Sequence, residues 1–294
     1  MCNIYISTGT FSEPTLETVE RLALGGFRNI ELSGGGSGKE LDSFINTLLE
    51  MQQKYALNFI CHNYFYSHPQ KLVLNLASGN DHIYQESVKY YQKAIELCDI
   101  LRSPKYALHA GLFIDSFPGK PHERVSSINQ FVSEVRRIIS VSSGSGGAGR
   151  SRARIPDCKF YVENNELPSE FHRAFEQAYG GGPSMMLTNF HEYLELRKIL
   201  DFNLLLDVGH LHVSTTALDL DFEEELNNFW NLTDYMHISN NDGNTDQHLP
   251  LDPNSKIYSI LKNFGGLKNR TVTLEYKTDL NDLLCHYENI KKLF

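Results

Sequence analysis

Short apolar runs recur along this chain, and each ends on a side chain able to bind a cation or move a proton. Leu204-Leu205-Leu206 stops at Asp207, with Gly209 and His210 close behind. That run lacks apolar/polar alternation, which marks a strand buried on both faces. Gly209 is expected to let the chain turn tightly toward His210. Leu57 to Cys61 stops at His62, Tyr106 to Leu108 at His109, and Lys159 to Val162 at Glu163. Tyr235-Met236 leads to His237, and Thr271 to Leu274 stops at Glu275. His, Asp and Glu are the side chains that hold divalent metals and act as general acids and bases.

Between these runs the apolar spacing becomes helical. Glu13 to Leu24 carries Leu16, Val19, Leu22 and Ala23 on one side, with Pro14 near its start. Further helices are predicted over Leu41 to Tyr55, Ile83 to Leu101 capped by Asp81, Ser126 to Ile139 and Glu170 to Ala178. Others follow over Glu192 to Leu200 capped by Asn189, Asp221 to Trp230, Ser255 to Phe264 and Asp279 to Leu293. Asn3 to Ser7 and Phe27 to Leu32 complete a set of eight strands. Alternation of this kind fits an open doubly wound sheet or a barrel. The strand ends decide. A barrel brings all of them to one mouth, where the ionisable residues would surround a single cavity. The reading is α/β: a (β/α)8 TIM barrel forming a single domain over residues 1–294.

Two segments lie outside this pattern. Ser33 to Gly38 is glycine-rich but lacks the Lys-Ser/Thr ending of a phosphate-binding loop, so it reads as a flexible connection. Ser140 to Arg154, rich in Ser, Gly and Arg, reads as a flexible low-complexity loop near 140–155. Its arginines (Arg150, Arg152 and Arg154) are read as keeping that loop in water rather than as a phosphate site.

Composition narrows the partners. The chain has 294 residues, enough for one barrel of roughly 250 residues with a full core. A net charge of −9 argues against a broad nucleic-acid footprint. Five dispersed cysteines without a CxxC pair suggest reduced thiols in a cytoplasmic setting. The opening Met-Cys-Asn-Ile-Tyr-Ile-Ser lacks the features of a signal peptide, and no stretch approaches the ~18 apolar residues of a membrane span.

The segment from His237 to Leu251 reads His-Ile-Ser-Asn-Asn-Asp-Gly-Asn-Thr-Asp-Gln-His-Leu-Pro-Leu. With Ile-Ser-Thr-Gly-Thr-Phe near the amino terminus and the later Gly-Gly-Phe-Arg-Asn-Ile-Glu-Leu, it resembles the xylose-isomerase-like barrel superfamily. That group holds sugar and sugar-phosphate isomerases and epimerases, and the endonuclease IV family of abasic-site repair enzymes (AP endonuclease family 2). The resemblance covers nearly the whole chain apart from about 140–155. It implies that Glu163, Asp207, His237 and Glu275 hold one divalent metal, with Zn, Mn or Mg all suited to such donors. In endonuclease IV-like members two more ions bind. His62 and His109 would share Glu163 around one, and His210, Asp246 and His248 would hold the other. One to three ions per chain are therefore implied.

The resemblance implies two chemistries. As an isomerase or epimerase of a small carbohydrate, the chain would exchange a carbon-bound proton through an enediolate. Glu163 and Glu275 would be its acid and base, and His210 would hold a substrate oxygen. The Asp246-Gln247-His248-Leu249-Pro250-Leu251 segment looks more like this branch. Known ketose epimerases often carry a glutamate where this chain has Ser169, an arginine where it has Gly243 and a glycine where it has Asp252. As an endonuclease IV-like phosphodiesterase, it would use all nine donors on a phosphate, but the acidic balance makes nucleic acid the lesser reading. Tyr64, Phe65 and Tyr66, just after His62, are expected to line the mouth, where they could stack on a sugar or base. An oligomer is compatible with either reading. A barrel that binds metal without catalysis is a third.

Overall fold

The computed structural model describes residues 3–34, 41–66, 72–142, 158–265 and 267–294. Of the predicted loops at 33–38 and 140–154, residues 35–38 and 143–154 lie outside the described residues, whereas Ser33 ends a strand and Ser140 to Ser142 continue a helix. Eight parallel strands close in chain order: β1 (Asn3–Ser7), β2 (Asn29–Ser33), β3 (Asn58–His62), β4 (Lys105–His109), β5 (Lys159–Glu163), β6 (Asn203–Asp207), β7 (Tyr235–Ile238) and β8 (Thr271–Leu274). Pairing of Ile4 with Val272 and of Ile6 with Leu274 joins the last strand to the first, so the sheet is a (β/α)8 barrel and not an open sheet.

Helices run between the strands: α1 (Thr15–Leu24), α2 (Leu41–Tyr55), α3 (Asp81–Ile100), α4 (Arg124–Ser142), α5 (Ser169–Tyr179), α6 (Phe190–Arg197), α7 (Val208–Ala217), α8 (Phe222–Trp230), α9 (Lys256–Asn263) and α10 (Leu280–Lys291). Asn80, not Asp81, caps α3; its side chain accepts from the backbone N–H groups of His82 and Ile83. Asn189 caps α6 by accepting from Glu192 N. The short helix α7, directly after β6, is absent from the sequence-based reading.

The two-residue period of each strand sorts its side chains. Leu204 and Leu206 face outward into the helix-packed core, whereas Leu205 points into the barrel. Ile60, Ala107, Tyr161, Leu205 and Tyr235 form one interior cluster, with Tyr5 packed against it. Two residues further along the same strands stand His62, His109, Glu163, Asp207 and His237. The apolar interior is thus the floor of a polar rim, and each rim group inherits its inward direction from the floor residue beneath it. Register aligns the rim: Ser33 pairs with His62, His109 with Glu163, and Asp207 with His237.

Candidate active site at the barrel mouth

Glu163 lies at the centre of the rim and is fully buried. Its Oε2 is 2.7 Å from His62 Nε2 and 3.2 Å from His109 Nδ1. Its Oε1 is 3.1 Å from His237 Nδ1 and 3.9 Å from His210 Nδ1. His237 Nδ1 also faces Glu275 Oε2 at 3.3 Å and Asp207 Oδ2 at 3.8 Å. Residues from five strands, together with Glu275 just past β8, therefore meet in one cluster, as a closed barrel requires.

Asp246 and His248 reach the rim from the loop after β7. Reciprocal backbone bonds of 2.8 Å between Asn240 and Leu249 fold that loop back on itself. Asp246 Oδ2 then lies 2.9 Å from His248 Nε2 and 3.5 Å from His210 Nε2. These two residues flank the central cluster and connect to it through His210. All nine donors read from the sequence are gathered at the mouth, seven around Glu163 and His237 and two beside them.

Helix α7 fixes two of the nine. Asp207 is its N-cap: Oδ1 accepts the His210 backbone N–H at 2.7 Å, which leaves Oδ2 for the cluster. The His210 ring donates Nδ1–H to the Asn164 carbonyl at 2.8 Å, so Nε2 is the nitrogen turned toward Asp246 and the mouth. Gly209 sits in the first turn of α7 and makes no tight turn, contrary to the sequence-based expectation. A Cβ there would lie 2.3 Å from Ser239 Oγ, so the glycine permits close packing of α7 on the end of β7.

The donor set fits a divalent cation. Glu163 Oε1, Asp207 Oδ2 and His237 Nδ1 are buried, face one another and have no hydrogen-bond partner among the described residues. An unpaired buried polar atom costs about 1–3 kcal/mol, more when charged, so three facing one another make a site that a bound cation would satisfy. The triples His62–Glu163–His237 and His109–Glu163–His210 have the spacing of cation ligands. Oxygen and imidazole donors of this kind suit Zn, Mn or Mg.

Electrostatics follow from burial and mutual proximity. Burial opposes the charge on Glu163, yet His62, His109 and His237 hold its carboxyl well below the usual range. Burial likewise works against Glu275, and His237 brings it down to about 2. Asp207 is pushed up to about 7 by burial, with Asp246 and Glu163 adding to the rise. Burial lowers His109 to about 4, outweighing the attraction of Glu163. His237 is raised well above its ordinary value because Glu31, Glu275 and Glu163 overcome its burial.

Several residues that build the site went unread in the sequence. Asn164 donates Nδ2 to the Asp207 carbonyl at 3.0 Å and accepts Asp207 N–H at 2.7 Å, tying β5 to β6. Asn241 donates to the Gly209 carbonyl at 3.0 Å and accepts from His212 Nδ1 at 2.8 Å. Glu31, fully buried on β2, lies beneath His237. Its sequence signals are an acidic residue between Ile30 and Leu32 of the predicted strand and its place in the Gly-Gly-Phe-Arg-Asn-Ile-Glu-Leu motif, neither of which gives it a role. Of the three aromatics after His62, only Tyr64 lines the mouth, its ring 6.3 Å from His109. Phe65 and Tyr66 instead enter the core, against Phe44 and stacked on Tyr90, because that core accepts their apolar area.

A family model described as the xylose isomerase-like TIM barrel matches residues 19–288. No curated protein matches the chain in sequence. Among solved structures, a D-tagatose 3-epimerase-like protein superposes with a TM-score of 0.68 at 19% identity, covering 99% of this chain and 98% of its own. D-Psicose 3-epimerase from Clostridium cellulolyticum H10 gives 0.65 at 12% identity and 99% of each chain. Endonuclease IV from Thermus thermophilus gives 0.57 at 14% identity, covering 99% of this chain and 98% of its own. At these identities the likeness is one of fold.

Proposed function

This chain belongs to the xylose isomerase-like TIM barrel family, and on that premise we propose that it is a divalent-metal-dependent isomerase or epimerase of a sugar or sugar phosphate. One observation carries the reading. Carboxylates from β5 and from the end of β8 flank a single imidazole nitrogen, with Glu163 Oε1 at 3.1 Å and Glu275 Oε2 at 3.3 Å from His237 Nδ1. Two carboxylates so placed can take a proton from one carbon and return it to another face or a neighbouring carbon.

Glu163, Asp207, His237 and Glu275 would hold the cation. When bound, it would supply Lewis-acid stabilisation of the negative charge that develops on the substrate's carbonyl and adjacent hydroxyl oxygens. The chain supplies the rest. One of Glu163 and Glu275 accepts the proton from the carbon next to the carbonyl. The other delivers a proton to the opposite face for epimerisation, or to the former carbonyl carbon for isomerisation. His210 presents Nε2 to a substrate oxygen, its ring locked by the bond to the Asn164 carbonyl. Tyr64 lies at the mouth beside His109, where its ring can cover a sugar.

A second reading, an endonuclease IV-like phosphodiesterase, draws on the additional donors. His62 and His109 sit on one oxygen of Glu163, and Asp246 lies between His210 and His248, giving positions for as many as three ions. The net charge of −9 favours a small substrate over duplex DNA.

Incubation with a panel of ketoses, aldoses and their phosphates in deuterated water tests the proposal. Carbon-bound deuterium next to the carbonyl is expected, and its loss in Glu275→Gln. Nicking of an abasic duplex without deuterium incorporation on any sugar would transfer the assignment to the phosphodiesterase.

A further inference from the structure

We propose that Glu31 is the positioning residue of the metal site, selecting which nitrogen of His237 faces the cation. This rests on the cation-binding reading of the cluster above and adds to it a residue outside the nine donors.

The geometry separates the two sides of the His237 ring. Nδ1 faces Glu163, Glu275 and Asp207 at 3.1, 3.3 and 3.8 Å. Nε2 points the other way, 3.0 Å from Glu31 Oε2. A carboxylate accepts hydrogen bonds and donates none, so Nε2 must carry the hydrogen. In the neutral ring the lone pair is then on Nδ1, directed into the carboxylate cluster.

Glu31 is itself held in place. Oε2 also accepts from Thr273 Oγ1 at 2.8 Å and from the Tyr235 hydroxyl. Its grip on the ring runs through that one oxygen, because Oε1 has no hydrogen-bond partner among the described residues. The three donors come from β7 and β8, and β1 lies between β8 and Glu31's own strand, so the carboxylate reaches past β1 through the barrel interior. Its layer explains the division of labour. Glu31 pairs in register with Ile60, a floor residue, whereas Ser33 pairs with His62 on the rim. Glu31 therefore stands one layer below the ligands and supports one of them from beneath. A carboxylate behind a ligating imidazole fixes its tautomer and raises its basicity, and losing such a partner typically costs about 10–100-fold in metal affinity.

The test uses the full chain with Zn2+ as probe, competed against a chromogenic chelator. Glu31→Ala is expected to weaken Zn2+ binding by about 10–100-fold. Glu31→Gln, which keeps the volume and an acceptor but not the charge, should fall between Glu31→Ala and the parent. It also serves if the alanine variant does not fold. A second readout is independent of affinity. In the Zn2+-loaded, 15N-histidine-labelled parent, His237 should show a metal-bound Nδ1 and a slowly exchanging Nε2–H. In Glu31→Ala that hydrogen should exchange rapidly or the ring should bind through the other nitrogen. A parent that binds no Zn2+ overturns the metal reading. A parent that binds, with folded Glu31 variants of equal affinity and unchanged His237 resonances, overturns only the role given to Glu31.

Discussion

His62, His109, Glu163, Asp207 and His237 each stand two residues beyond a floor residue on their strand, and Glu275 directly follows β8, so single side chains are the place where fold and chemistry meet. This placement explains why all six were legible in the sequence. A polar residue ending an apolar run needs no long-range information to be noticed. Glu31 was not legible as a site residue, because it lies mid-strand and its partners arrive from more than 200 positions away. The opposite end of the barrel holds a second interior charge, Lys105. Its Nζ lies 4.3 Å from the Tyr161 ring centre, 5.1 Å from that of Tyr235 and 3.6 Å from Asp234 Oδ1. Burial lowers the Lys105 amine to about 8, against the pull of Asp234. An unfolded lysine titrates near about 10.4. Between these values the unfolded chain holds a proton that the folded chain has released, so unfolding free energy rises with pH across that window. The parent should therefore gain stability relative to Lys105→Met as pH climbs from about 8 to 10. Denaturant melts of both at several pH values in that range measure the difference. A constant difference would mean that the amine is not held in its depressed state.

At the scale of elements, the strands were readable and one helix was not. Most strand runs are apolar without alternation because both faces are covered, Glu31 in β2 being an exception. Helix α7 is covered on nearly every side too: Val208, Gly209, His210, Leu211, Val213, Ser214 and Thr215 are all buried. Without a polar face there is no stripe for a 3.6-residue period to reveal, and its glycine and β-branched residues give no propensity signal. Yet this helix turns Asp207 into a two-sided group, with Oδ1 on the cap and Oδ2 in the cluster. The two roles separate by substitution. Asp207→Asn keeps an acceptor for His210 N–H, so with chelator present it should retain the parent's stability. Asp207→Ala should lose about 1 kcal/mol from the missing cap. Both should bind Zn2+ far more weakly than the parent. Denaturant melts in chelator and Zn2+ titrations check the two halves independently. Equal destabilisation by both substitutions would show that the cap contributes nothing.

At the scale of the whole molecule, closure of the sheet turns a list of strand ends into a site. The sequence supports two sheet topologies equally well by alternation alone. The pairing of β1 with β8 brings β2 and β3 round to β7, so that Glu31 Oε2 lies 3.0 Å from His237 Nε2 and the His62 and His237 rings lie 4.8 Å apart, which an open sheet would not do. Closure also concentrates like charges. Glu163, Asp207, Glu275 and Asp246 share one mouth, so without a cation there are buried acceptors unpaired among the described residues and mutual repulsion between carboxylates there. A ligand that binds only the folded chain stabilises it by mass action, about 2.7 kcal/mol at a free concentration of 100 times Kd. For chains near this size each kcal/mol shifts the melting temperature by about 2–4 °C, so Zn2+ at that excess should raise it by roughly 5–10 °C over chelator-treated protein. In Glu163→Gln, which removes the charge at the centre of the cluster, melting should be the same with Zn2+ and with chelator. Differential scanning calorimetry of both chains in both conditions provides the measurement. A parent whose melting temperature ignores zinc and chelator alike would leave the convergence of these donors without the cation that we assign to it.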